Sequence, residues 1–203
     1  MMTSGLDAST VTEWEARVAT ERKRTGRPQG FPELPDIPGG RYNDRAFFDL
    51  ERREMWQRCW LYAAHVDQLP EPGSFIVWHH GSAPILIIRG DDGEIRAFYN
   101  TCRHRGAPVA RSDSGRAGAA LVCGYHGWSY DRQGGLRAVS EQRDWQDIDP
   151  SCRGLVGVRC ERYGNWIFVC EDLQAEPLQD FLAPISRYLN HLPLETLRLV
   201  DRR

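Results

Sequence analysis

Two short elements of this 203-residue chain could do metal chemistry: Cys102-Arg103-His104 and, after eighteen intervening residues, Cys123-Gly124-Tyr125-His126. Each offers one thiolate and one imidazole. Two soft and two borderline donors converging from two loops suit either tetrahedral zinc or an iron-sulfur cluster with mixed ligation. Two unrelated Cys and His pairs are the third reading of the same residues. Gly106 and Pro108 after the first pair, and Gly124 and Gly127 around the second, fit tight loops whose backbone N–H groups turn toward bound sulfur.

The elements that must position these loops read mostly as short strands. From Gly73 onward the pattern is β-rich: SFIVW at 74–78, ILIIR at 85–89, the turn Asp91-Asp92-Gly93, then IRAFY at 95–99. Further strands are predicted at 120–122, 128–130, 136–139, 155–160 and 166–170. Cys102 and Cys123 each follow a predicted strand, so both pairs can sit at one end of a sheet. Close spacing of the strands implies an antiparallel, mostly β architecture of the α+β kind. A helix is expected from Asn43 or Asp44 to about Trp60, with Phe48, Met55, Trp56 and Cys59 on one face packed against the sheet. A short helix is expected over 11–23. The segment 25–40 carries four prolines and four glycines and reads as an extended arm. Near the end, a helical stretch over 178–192 is interrupted by Pro184, and TLRLV reads as the start of a strand.

Composition narrows the function classes. Apolar residues make up 41% and charged residues 27%, which fits a folded chain rather than a disordered one. The formal net charge is −2, and the 25 Arg and one Lys are scattered rather than gathered into a face, so nucleic acid is not an expected partner. The longest apolar run, 83–88, is too short for a membrane span, and the first twenty residues lack a leader pattern. A cytoplasmic protein is expected, in which six Cys point to metal or catalysis rather than to a disulfide framework.

The spacings C-x-H and C-x2-H, with HRG after one pair and HGW after the other, resemble the Rieske 2Fe-2S motif. A wider set of segments, from FFDLERREMWQRCW through PILIIRGDDGEIRAFYNTCRHRGAPV and CGYHGWSYDRQGGL to PLQDFL, resembles the N-terminal half of aromatic ring-hydroxylating oxygenase α subunits. The resemblance implies a Rieske-type antiparallel β-sandwich with iron-sulfur-binding loops and flanking helices. It implies that His104 and His126 ligate one iron and Cys102 and Cys123 the other. Arg105, Gly106, Tyr125, Gly127 and Trp128 would surround the cluster. The implied organisation is an N-terminal arm over 1–41, a Rieske domain with its leading helix over 42–172, and a helical extension over 173–203 toward a catalytic domain absent from this chain.

Members of that family take electrons from a ferredoxin or flavin reductase and pass them to a mononuclear non-haem iron, commonly in a neighbouring subunit. That iron needs two His and a carboxylate, and the family supplies its two His five residues apart. The six His here stand at 65, 79, 80, 104, 126 and 191, and no two are so spaced. The expected role is therefore an electron-transfer module, with no catalytic residue of its own and mononuclear Fe(II) only in the full-length protein. The alternatives are a free-standing Rieske ferredoxin and a zinc-stabilised binding module.

With two thiolates in place of four, the oxidised cluster is formally neutral, which raises its potential into a range of about −150 to +300 mV. Respiratory-complex Rieske proteins add a disulfide between the loops and a Ser beside a sulfur. The corresponding positions here hold Ala107, Tyr125 and Trp128. With fewer donors to sulfur, the expected potential lies low in that range, below about +150 mV. Arg103 and Arg105 are candidates for stabilising the reduced cluster or meeting an acidic partner, and Trp128 for covering it. His65, His79, His80 and His191 read as structural, and Cys59, Cys152, Cys160 and Cys170 as buried or free thiols, with a Cys160–Cys170 pair as a rare option.

Overall fold

The computed structural model describes residues 7–140, 143 and 148–201. The first residues of the expected arm and the last two of the expected extension lie outside them. Among the described residues, ten strands form two sheets. A seven-stranded sheet runs in the order β1-β10-β9-β4-β3-β2-β5, from β1 (Leu61–His65), β2 (Ser74–Trp78), β3 (Ile85–Arg89), β4 (Ile95–Tyr99), β5 (Ser114–Arg116), β9 (Gly157–Tyr163) and β10 (Trp166–Cys170). A three-stranded sheet consists of β6 (Leu121–Val122), β7 (Ser129–Tyr130) and β8 (Leu136–Ala138). Every pairing is antiparallel, as expected of an α+β chain dominated by hairpins.

Side chains on a strand alternate between faces, and β3 uses both. Leu86 and Ile88 enter one core with Phe75, Val77 and Phe98, while Ile85 and Ile87 enter a second with Ile76, Trp78, Val158 and Ile167. This two-sided burial explains why ILII is an unbroken apolar run rather than an alternating one. Ile85, Leu86, Ile87, Ile88 and Ile167 are fully buried, and each stabilises the fold by about 1.5–3 kcal/mol. Ile87→Ala would cost about 2–5 kcal/mol, because a packed sheet face cannot collapse around the void.

The small sheet lies over the first core, to which it contributes Leu121, Trp128 and Tyr130. Arg132, on the turn after β7, ties it down. Its guanidinium donates to Gly118 O (2.6 Å) and Ala117 O (3.2 Å) and pairs with Asp91 in the β3–β4 turn.

The second helix and the C-terminal helical stretch are shorter than predicted, whereas the first begins three residues earlier. Asp44 caps α2 (Arg45–Glu51) through Ala46 N at 2.8 Å, but a π-helical turn (Arg52–Trp56) then replaces the α-helix expected to reach Trp60. The wider turn slips the register between Phe48 and Met55, so the expected apolar face is not assembled. Phe48, Met55 and Trp56 remain exposed, and Trp60 is the residue that enters a core. The N-terminal helix α1 spans Ala8–Lys23 and is capped by Asp7. The C-terminal helical stretch divides at Leu182 into α3 (Leu178–Phe181) and α4 (Ala183–Leu189), and Pro184 sits in the first turn of α4, where its missing N–H costs nothing. TLRLV forms no strand. Asn165 Nδ2 donates to Glu195 O (2.8 Å) and Leu197 O (3.1 Å), and Asp67 accepts from Leu199 N at 3.0 Å. Side chains, not strand pairing, hold that segment.

Candidate metal centre

Both ligand loops leave the seven-stranded and small sheets at the same end and close in the same way. In the first, Cys102 N donates to Ala107 O (2.8 Å) and Gly106 N to Cys102 O (2.9 Å). In the second, Cys123 N donates to Trp128 O (2.8 Å) and Gly127 N to Cys123 O (3.0 Å). Each loop therefore has Cys first, Gly four residues later and a reverse bond one residue beyond. The two glycines take φ of +76° and +71°, which a side chain would strain. The His falls two residues after Cys102 but three after Cys123, and the common frame brings the two imidazoles together with ring centroids 4.6 Å apart.

The thiols are paired too. Cys102 and Cys123 are 3% and 2% exposed and interact with each other, whereas His104 and His126 are partly exposed. Burial pushes the Cys102 thiol up, against the opposing pull of the Tyr130 hydroxyl and the His104 backbone N–H, and its neighbour Cys123 adds to the rise. Two adjacent buried sulfurs can become thiolates only beside a cation, which is what a metal supplies. Partial burial, then His126, then Arg105 hold His104 below the ordinary imidazole range, the direction that favours the neutral ring a metal binds. Among the described residues no three His, Cys, Asp or Glu side chains gather around one point as for a single ion. The four donors form instead a buried sulfur pair and a more exposed nitrogen pair. Two metals side by side, one per pair, fit that arrangement.

Trp128 is buried and stacks on His104 at 5.0 Å between centroids and 10° between planes. Tyr125, exposed, lies against the His126 ring at 3.8 Å. Arg103 and Arg105 are exposed beside His104. The other histidines are elsewhere: His79 pairs with Asp113 at 2.8 Å, His80 meets Trp78, and His65 is buried at the end of β1, where it caps a short turn.

The remaining cysteines are unpaired. Cys160 stands opposite Val169 and Cys170 opposite Arg159, so the two point to opposite faces of the β9–β10 hairpin and cannot form the disulfide held open above.

Two residues were missed by sequence reasoning. Tyr130, fully buried, accepts from Arg103 N at 2.9 Å and brings its hydroxyl 3.2 Å from Cys102 Sγ. Its position two residues after Trp128 on a predicted strand was the available signal, since both must share a face. Asn100, also buried, accepts from Val109 N (3.0 Å) and Ala110 N (2.8 Å) and donates to Ala110 O (2.8 Å), which pins the return of the first loop.

Residues 59–150 match the family described as the Rieske 2Fe-2S domain. The chain is 32% identical, over 98% of its length, to the glycine betaine monooxygenase oxygenase subunit of Chromohalobacter salexigens. It is 35% identical, over 84%, to the biphenyl 2,3-dioxygenase subunit alpha of Rhodococcus jostii. It spans 43% and 38% of the lengths of those two proteins. Naphthalene 1,2-dioxygenase with indole bound superimposes with a TM-score of 0.69 at 34% identity, over 73% of this chain and 34% of that one. A quaternary ammonium Rieske monooxygenase in complex with an inhibitor gives 0.76 at 27% identity, over 85% and 52%. Motif, fold and relatives agree: the chain belongs to the Rieske oxygenase α-subunit family and corresponds to its N-terminal, 2Fe-2S-binding part.

Proposed function

We propose that Cys102 and Cys123 hold one iron and His104 and His126 the other, and that this chain serves as the electron-relay module of an oxygenase. The observation that carries this is the pair of equivalent loops, which present two buried thiols and, nearer the surface, two facing imidazoles. A bound 2Fe-2S cluster supplies a store for one electron at a time. The protein's part is to keep the sulfur side dry within the first core, to donate the Tyr130 hydroxyl to Cys102, and to leave the imidazole side near solvent. Each imidazole has a second nitrogen able to hold a proton, so a proton can accompany the electron at that side. The electron would come from a ferredoxin or flavin reductase. It would leave for a mononuclear iron in a catalytic domain beyond this chain, in the same or a neighbouring subunit.

For the whole protein, hydroxylation of aromatic rings is the activity supported by the dioxygenase relatives. Quaternary ammonium compounds are the second candidate substrates, supported by the 98% coverage against the glycine betaine enzyme. The organisation we assign is a Rieske domain over 42–172, an arm before it and an extension over 173–203 leading to the catalytic part.

The test is reconstitution of the purified chain with iron and sulfide. The expected product is red-brown, binds two irons and two acid-labile sulfides, and gives a rhombic EPR signal on reduction. His104→Ala, His126→Ala, Cys102→Ser and Cys123→Ser should each abolish it. Unchanged absorbance and sulfide after any of these replacements, or a colourless protein that takes up zinc alone, would overturn the assignment.

A further inference from the structure

We infer that the arm over 31–38 is a docking ribbon, which a neighbouring copy of this chain receives in the aromatic groove between α2 and the strands β1 and β2. The inference is independent of the ligand assignment. The ribbon repeats an apolar residue, a proline and a third residue that is acidic in its first two turns: Phe31-Pro32-Glu33, Leu34-Pro35-Asp36 and Ile37-Pro38-Gly39. Proline fixes its own φ and bars the residue before it from the helical region. Six of the eight residues from Phe31 to Pro38 are thereby confined to extended backbone, and Pro38 stands at φ −56° and ψ 128°. Such a chain is a polyproline helix of about three residues per turn. That period puts Phe31, Leu34 and Ile37 on one edge and Glu33 and Asp36 on another. All three apolar side chains are exposed.

The groove has a volume of about 560 Å³. Phe48 and Trp56 line it from α2 and the π-helical turn, Tyr62 from β1 and Trp78 from the end of β2, and Arg52 stands among them. Trp78 is buried, while the other three rings are exposed. Polyproline segments bind grooves lined by aromatic rings, because they are already extended and lose little entropy on docking. Charge fits as well. The acidic edge of the ribbon can meet Arg52, whereas the groove's own carboxylate, Glu171, is engaged by Ser82 N at 2.7 Å and by the Tyr99 hydroxyl at 2.8 Å. In its own chain the ribbon ends elsewhere: Ile37 lines a separate depression beside Phe47, and no residue of the ribbon lines the aromatic groove. Each copy thus presents an arm and a groove that its own fold does not bring together, and two copies can exchange arms across a twofold axis.

The experiment is sedimentation velocity of the full chain over a micromolar concentration series, with far-ultraviolet circular dichroism as the check of fold. The parent chain should self-associate as its concentration rises. Leu34→Asp, which puts a charge on the apolar edge, and Trp56→Ala, which takes an exposed ring from the groove, should each weaken association on the order of tenfold with an unchanged fold. Mixed together, these two variants should associate again, because the intact arm of one meets the intact groove of the other. Arg52→Glu should also weaken association, and adding Glu33→Arg and Asp36→Arg to that chain should restore most of it. If Trp56→Ala fails to fold, Arg52→Glu takes its place in the mixture. A parent chain that stays monomeric throughout overturns the inference and leaves the ribbon to a different protein. Parental association of Leu34→Asp overturns it too, as does a mixture that associates no better than its components.

Discussion

The hydroxyl of Tyr130 lies 3.2 Å from the sulfur of Cys102 while its oxygen accepts the Arg103 N–H, so that beside a thiolate at Cys102 the phenol is the partner left to donate. Burial and the neighbouring thiol together hold this phenol far above its ordinary range, so it remains a donor at any working pH.

A donor to a ligand sulfur favours the more negative, reduced cluster and therefore raises its potential. Tyr130→Phe removes that donor and nothing of the ring. The midpoint potential should fall by on the order of 60 mV, the one-electron equivalent of about 1.4 kcal/mol. Protein-film voltammetry measures it directly. A potential unchanged or raised in Tyr130→Phe would show that the hydroxyl does not act on the sulfur. The sequence-based expectation of a low potential counted the replacement of Ser by Trp128 and did not count Tyr130, and the same voltammetry tests it.

Asn100 should matter for stability more than its polarity suggests. Asn100→Ala leaves Val109 N, Ala110 N and Ala110 O without their partner in a buried site. Each buried orphan costs about 1–3 kcal/mol, so with partial relaxation the loss should be on the order of 3 kcal/mol. Asn100→Asp keeps the acceptor for both N–H groups and should be milder. Urea denaturation followed by tryptophan fluorescence ranks the three proteins, and equal midpoints would remove Asn100 from the loop's support.

Much of this architecture was legible because it is local. The β3–β4 hairpin announces itself through Asp91-Asp92-Gly93 between two apolar runs, and the ligand pairs through spacings of three and four residues. What was not legible depends on partners distant in sequence. β5 (Ser114–Arg116) has no apolar signal and exists through pairing with β2. β1 (Leu61–His65), directly after the helix predicted to run to Trp60, was not read as a strand and exists through pairing with β10, and the π-helical slip after Glu51 leaves no mark on the pattern. Tyr130 and Asn100 read as an ordinary strand aromatic and a loop polar residue. Their roles come from contacts 28 and 10 residues away, made only once the two sheets are packed.

The two loop glycines share a backbone conformation but not their surroundings. Gly106 has open space where a Cβ would stand, whereas at Gly127 a Cβ would come 2.5 Å from Ser140 Oγ. Ser140 in turn donates to His126 O at 2.5 Å, so displacing it disturbs the ligand's own backbone. Gly106→Ala should cost about 1–2 kcal/mol from the left-handed φ alone. Gly127→Ala should cost more and, unlike Gly106→Ala, should weaken cluster retention. Thermal unfolding and chelator-driven release of both variants test the order, and a Gly106→Ala protein the less stable of the two would contradict it.

Cys160 supplies a pH dependence whose sign is fixed by its burial. Removal from water, reinforced by Glu161 beside it, pushes its thiol from the ordinary 9.0 up to about 12. Because the folded value is the higher, the neutral thiol is favoured in the native state. Its contribution is whole below pH 9.0, shrinks as the unfolded chain ionises above that, and is gone once pH passes about 12. The denaturation midpoint should therefore fall from pH 9 toward 11, and Cys160→Val, which has nothing to ionise, should flatten part of that fall. Thiol labelling gives an independent reading at pH 9. A negatively charged aromatic disulfide should modify the exposed Cys152 quickly and the half-buried, un-ionised Cys160 more slowly. A Cys160 that labels as fast as Cys152 in the native protein would mean that its sulfur is neither shielded nor held neutral.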